Sequence, residues 1–310
     1  MTDAADEGRA PNQHPVGIVP DGRLAVGAGV LPLFLSRDWS VPMPEIDLAV
    51  ILLHGRRRDA ETYRQILARA ADGVGDSLLI VPQFLAGIDI RQHGLPDPVL
   101  RWSLEGWMGG EPAEGPVPAS SFEAVDAILA HLNDRSNFPA LRRIVLAGHS
   151  GGAQVVQRYA VIGRGGAALE AAGKALRYVV ANPSSYVYFS PDRPFPVEAC
   201  PDFDRWKYGM NALPPYAGAV PTAALETEFA RREVVYLWGG EDSDTEQPAL
   251  DRSCAAQAQG PHRLARGQAY FAYLQARHAD LAHRAAIVPG VGHDGAAMFC
   301  SALGRAALFD

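Results

Sequence analysis

Basic charge is what this sequence most conspicuously lacks. It carries a net charge of -7, so nothing in it reads as the cationic footprint that neutralises nucleic-acid phosphates. Long apolar runs are missing too. The longest are of strand length, as at residues 48–53, far short of the roughly 20 residues a membrane-spanning helix needs. Cysteine is scarce: the three present, Cys200, Cys254 and Cys300, have no metal-ligand spacing. A GxxxxGK[ST] loop, a GxGxxG after the first parallel strand and an HExxH are all absent, which removes the nucleotide, dinucleotide and zinc-protease readings. No metal and no cofactor is expected. The first residues, MTDAADEGRAPNQHPVG, are acidic and polar, where a signal peptide needs a basic start and an apolar run. The expectation is therefore a cytoplasmic protein with idle thiols, the alternative for the cysteines being a Cys200–Cys254 clasp between two loops.

What is present is an alternation of short, β-branched apolar runs with helical patterns, the signature of a parallel sheet covered by helices. Strands are expected at residues 30–35 (an antiparallel edge), 48–53, 77–82, 143–147, 177–181, 234–238 and 284–288. Helical spacing appears at 60–71, 120–132, 152–162, 266–282 and 296–308. Residues 1–15 read as a mobile tail and 16–310 as one domain. Two stretches break the alternation. Residues 84–118 are rich in Gly and Pro and contain Trp102 and Trp107. Residues 182–231 contain Tyr186 and eight further aromatics among several prolines. Irregular segments of this length serve as lids or binding loops, or their aromatics anchor the chain to the core.

The sharpest chemical signal is Gly148-His149-Ser150-Gly151-Gly152, which follows the strand RIVLAG and opens the helix GAQVVQRYA. A G-x-S-x-G between strand and helix makes a tight turn that exposes a serine hydroxyl at the end of a sheet. The following helix aims its positive N-terminus at the same point. A hydroxyl at neutral pH needs a base. Of nine histidines, His293, on the Gly-rich loop PGVGHDG after the last strand, is placed to reach it. His149 is adjacent to the serine, but the turn directs it elsewhere. The third member is expected after an intervening strand, and VVYLW is followed by Gly239-Gly240-Glu241-Asp242-Ser243-Asp244. The Gly-x-x-acid spacing favours Asp242. Oxyanion donors are expected from the backbone N–H groups of Gly151 and Arg56. The run Arg56-Arg57-Arg58 either pairs with Asp59 or Glu61 or offers a guanidinium to a substrate carboxylate.

These motifs, together with Leu48 to Gly55 (LAVILLHG), resemble the α/β-hydrolase superfamily, and His54-Gly55-x-x-Arg58-Asp59-Ala60-x-x-Tyr63 resembles the oxyanion loop of its esterase and depolymerase-like branch. The resemblance runs from about residue 48 to the C-terminus. It implies a mostly parallel eight-stranded sheet with helices on both faces, the triad on loops at its carboxyl ends, a lid-like insertion at about 182–231 and a partly structural Arg58. The expected activity is hydrolysis of a carboxylic ester, lactone or related acyl compound through an acyl-enzyme. An amidase or peptidase on the same residues and a non-catalytic ligand-binding protein remain alternatives. The expected partner is a small acyl substrate, apolar or aromatic, contacted by His54, Arg58, Trp102, Trp107, His149 and Tyr186, without nucleic acid or membrane; a homo-oligomer is left open.

Overall fold

The computed structural model describes residues 11–310. Eight strands form one open sheet: β1 (Gly22–Val26), β2 (Gly29–Leu35), β3 (Leu48–Leu53), β4 (Ser77–Pro82), β5 (Arg143–His149), β6 (Ala175–Ala181), β7 (Glu233–Gly239) and β8 (Arg284–Val288). Their spatial order is β1-β2-β4-β3-β5-β6-β7-β8. β1, β2 and β4 pair antiparallel, and every later pairing is parallel.

The parallel centre reads as continuous apolar runs because both of its faces are covered. All six residues of β3 are buried. Ala49, Ile51 and Leu53 enter one core with the helices Ser121–Leu132 and Gly151–Ile162. Leu48, Val50 and Leu52 enter a second, with the helices Ala60–Ala70, Gly295–Cys300 and Ala302–Phe309. The two-residue period of a strand thus splits one sequence run between two cores.

Several helix starts carry side-chain caps. Asp59 accepts from Thr62 N–H, and Ser120 with Glu123 forms a capping box. The C-terminal segment is two helices, since Ser301 ends the first and caps the second. The edge expected at residues 30–35 is internal, because β1 pairs outside it. Gly22 and Arg23 dilute the apolar pattern of β1 in the sequence.

Of the tail expected over residues 1–15, the first ten lie outside the described residues. Beyond them the expectation is corrected, because the Asn12 and His14 carbonyls accept hydrogen bonds from the buried Arg58 at 2.7 and 2.9 Å. In 182–231 the aromatics serve the core: Tyr186, Tyr188, Tyr216 and Phe229 are buried, and Tyr186 stacks on Tyr270 of the helix Arg263–Arg277. Cys200 and Cys254 are joined by a disulfide with Cα atoms 5.7 Å apart, so they are a clasp rather than idle thiols. Among the described residues no helix is long and apolar enough to cross a membrane.

Candidate active site

Every candidate catalytic group lies where a parallel strand ends at its carboxyl edge, the end at which open α/β sheets place their ligands. β5 ends at His149, and Ser150 follows with φ 57° and ψ -115°. That conformation is costly for a residue with a Cβ. It is held by the Ser150 N–H bond to Ala181 O at 2.9 Å and by the glycines around it. A Cβ on Gly148 would come within 2.4 Å of the Gly152 backbone, and one on Gly152 within 2.4 Å of Leu53 O. The turn therefore closes only with hydrogen at both positions.

His293 meets this serine. Its Nε2 is 2.9 Å from Ser150 Oγ, and its Nδ1 is 2.8 Å from Asp242 Oδ2. The ionised carboxylate accepts from Nδ1–H, which leaves Nε2 as the acceptor for the hydroxyl proton. Burial holds the His293 pKa below its usual value. The Asp242 hydrogen bond works against that shift, and the nearby Arg263 cation works with it.

Of the three competing acids, Asp242 alone is buried, while Glu241 and Asp244 are exposed. The register comes from the loops. Gly240 N–H bonds Val288 O and Glu241 N–H bonds Val291 O, both at 2.9 Å. The histidine loop passes so close that a Cβ on Gly239 would be 2.3 Å from Val291 O.

The two expected oxyanion donors come together. An ideal Cβ on Gly151 would be 3.0 Å from the Arg56 nitrogen, and neither N–H donates to a protein acceptor among the described residues. Their loop is fixed by His54, which is fully buried. His54 Nε2 accepts from Phe84 N–H at 3.0 Å, so the proton is on Nδ1, which donates to Gly55 O at 2.9 Å. Burial lowers the His54 pKa to about 4, and the ring stays neutral.

Several residues expected to contact substrate do other work. His54 braces the loop. Arg58 is wholly buried and makes a two-point ion pair with Asp89, 2.8 Å from Nε and 3.1 Å from Nη2. Its partner is therefore neither Asp59 nor Glu61, which cap or pair elsewhere. Trp102 and Trp107 are fully buried, their indole N–H groups given to Ala119 O and Leu104 O. Tyr186 is also buried, its hydroxyl accepting from Trp238 Nε1 at 2.9 Å. Large aromatics in irregular chain were here the means of burying that chain. His149 does not point away: its ring packs on His293 with centroids 4.7 Å apart, and its Nδ1 meets the Tyr63 hydroxyl at 3.0 Å. Burial, reinforced by His293, pushes its pKa well down.

Two residues escaped the sequence reading, and a third, Tyr63, entered it only as the end of the loop motif and not as a site residue. Arg263, buried on the helix Arg263–Arg277, places Nη1 3.3 Å from Asp242 Oδ1 and also reaches Ser184 and Gln247 at 3.0 Å. Asn182, with φ 51° at the end of β6, accepts from Gly239 N–H at 2.8 Å and donates to Gly292 O at 3.3 Å, tying the acid loop to the histidine loop. Tyr63 closes the contact under His149. Arg263 and Asn182 have no local motif; only a non-glycine residue at a strand terminus hinted at Asn182.

Ser150 and His293 open into a pocket of about 560 Å³. Its wall is mixed: Arg56, Arg57, Arg69, Tyr63, Gln247 and Asp294 share it with Ile66, Ala249 and Ala296.

The strand order, the turn at Ser150 and the three loops at the carboxyl edge define the architecture. This is an α/β-hydrolase fold. It superposes on a poly(aspartic acid) hydrolase-1 from Sphingomonas sp. KT-1 with a TM-score of 0.66 and 22% identity, over 94% of this chain and 100% of that one. It superposes on a poly(3-hydroxybutyrate) depolymerase from Bordetella parapertussis with a TM-score of 0.63 and 23% identity, over 93% and 94% of the two chains. No family model and no curated protein matches the sequence.

Proposed function

We propose that this α/β-hydrolase-fold protein is a serine hydrolase that cleaves a carboxylic ester or related acyl compound through an acyl-enzyme. The observation that carries the reading is the continuous chain Ser150 Oγ–His293 Nε2, His293 Nδ1–Asp242 Oδ2 at 2.9 and 2.8 Å. The two named hydrolases with the same fold support it.

In the proposed cycle His293 takes the Ser150 proton as Oγ bonds to the acyl carbon. The carbonyl electron pair moves to oxygen, facing the N–H groups of Arg56 and Gly151. The tetrahedral adduct collapses as the bond to the leaving oxygen breaks, and His293 delivers the proton to that oxygen. Water, deprotonated by His293, then adds to the acyl carbon, and Ser150 recovers its proton as it leaves. The net change is addition of one water, with no redox partner. Asp242 keeps Nδ1 protonated and stabilises the transient imidazolium.

The Cys200–Cys254 bond weighs against the cytoplasmic expectation, because such bonds persist in oxidising compartments. The test of function is labelling with a fluorophosphonate probe, comparing wild type with Ser150→Ala. Labelling of wild type alone is the expected result. A folded wild-type protein that resists the probe would move the ligand-binding reading to the front.

A further inference from the structure

We propose that the pocket beside Ser150 selects acyl compounds whose leaving group carries a carboxylate, held by Arg57 with Arg69 at the far end. This rests on the serine-hydrolase reading and deepens it.

The charges of this wall divide into those already engaged and those that are not. Arg56 pairs with Glu105. Asp59 receives Thr62 N–H and Thr62 Oγ–H at 3.1 and 2.6 Å, and Asp294 receives Ala296 N–H and Ala297 N–H at 2.7 and 3.0 Å. Each carboxylate is thus spent on a helix N-terminus. Arg57 and Arg69 line the same pocket, are exposed, and form no ion pair among the described residues. In a chain of net charge -7, which repels anions as a whole, two uncommitted guanidiniums on the wall of the pocket that holds the nucleophile form a local exception.

Their placement is fixed by the backbone. Arg57 lies between Arg56, tied to Glu105, and Arg58, buried against Asp89. It is therefore presented from a segment pinned on both sides, two residues past Gly55, where a Cβ would be 3.7 Å from Ser150 Cβ. Two residues span at most about 7 Å. Arg69 shares one helix face with Thr62 and Ile66, which line the pocket with it. Seven residues of helix put it about 10 Å along the axis from Thr62.

The side of the scissile bond follows from the chemistry. His293 must hand its proton to the leaving oxygen, so the leaving group occupies the space His293 faces, and His293 lines this pocket. A guanidinium forks onto a carboxylate with two parallel N–H···O bonds, which suits an oxyacid leaving group better than a neutral alcohol.

The experiment compares 4-acetoxybenzoate with its methyl ester, each kcat/KM divided by that ester's own rate with hydroxide. Wild type is expected to prefer the carboxylate, with a preference that falls at high salt because exposed charges are screened. Arg57→Gln is expected to cut the ratio by about fivefold, the upper range for one solvent-accessible ion pair, and Arg57→Gln with Arg69→Gln to bring it near one. Both positions are exposed, and fluorophosphonate labelling of the variants checks that the fold is kept. Turnover of both esters with a ratio at or below one, or a ratio the variants leave unmoved, overturns this inference while the serine-hydrolase reading stands. Failure to turn over either ester, together with failure to take the fluorophosphonate, overturns that reading and this one with it.

Discussion

The Arg263 guanidinium lies 3.3 Å from Asp242 Oδ1, the carboxylate oxygen that His293 does not use, and both side chains are buried. The acid of the proposed relay is therefore gripped from both ends. Arg263 orients it while adding a positive charge close to the base. That charge, Asp242, Asp294 and the packed ring of neutral His149 are the ionisable surroundings of His293. Two of them oppose each other: Asp242 favours the imidazolium and Arg263 disfavours it. Removing Arg263 removes a force that keeps His293 neutral, so its pKa rises. In Arg263→Gln the acidic limb of kcat/KM is expected to move to higher pH, because the base is then lost to protonation sooner. Arg263→Lys, which keeps the charge, should return the limb toward wild type. A fall in kcat with an unmoved limb would reduce Arg263 to a packing element.

The relay itself predicts a steep loss. Ser150→Ala and His293→Ala are each expected to lower kcat on a 4-nitrophenyl ester by about 10⁴- to 10⁶-fold, since triad members act as a unit. Asp242→Asn should cost roughly 10⁴-fold by favouring the wrong tautomer of His293. Glu241 and Asp244 are exposed, so Glu241→Gln and Asp244→Asn should stay within a few-fold of wild type. A larger loss from either than from Asp242→Asn would move the acid.

What the sequence disclosed of this site followed from local punctuation. Ser150 is framed by glycines that the turn cannot do without, and His293 sits in a Gly-rich loop after a strand. Asp242 was favoured by its spacing from Gly239, though its neighbours became distinguishable only by burial. Arg263 and Asn182 have no such frame. Arg263 is 21 residues from Asp242, and only the packing of its helix brings it near. The same limit explains Arg58, whose partner Asp89 is 31 residues away, whereas the sequence offered the adjacent Asp59 and Glu61. The tryptophans and Tyr186 were misassigned for a related reason. Aromatic residues in irregular chain look alike whether they line a pocket or seal a core, and these seal a core.

The Arg58–Asp89 pair fastens residues 12–14, the loop after β3 and the helix Gly87–His93 to one another. Cutting a buried pair on one side leaves an uncompensated charge. Arg58→Ala is therefore expected to destabilise the protein by about 3–5 kcal/mol in urea unfolding. The double change Arg58→Met with Asp89→Leu removes both charges and should cost less than Arg58→Ala alone. If the double variant is the less stable one, the pair contributes net stability beyond mutual neutralisation.

His54 links the same loop to pH. Its folded pKa, about 4, is below the ordinary 6.5 because burial penalises the cation. The neutral ring is thus a condition of the native state, and the unfolded chain binds a proton first as the pH falls. Its contribution to stability is whole above pH 6.5, declines as the pH drops toward 4, and levels off below that. The span corresponds to on the order of 3 kcal/mol. Urea unfolding at pH 7.5, 5.5 and 4.5 should show this loss in wild type. His54→Gln cannot take up the proton in either state. It is expected to be less stable at pH 7.5, having lost the imidazole bridge between Gly55 O and Phe84 N–H, yet to lose less on acidification. Parallel pH profiles for the two proteins would mean that His54 is reached by solvent and titrates normally in the fold.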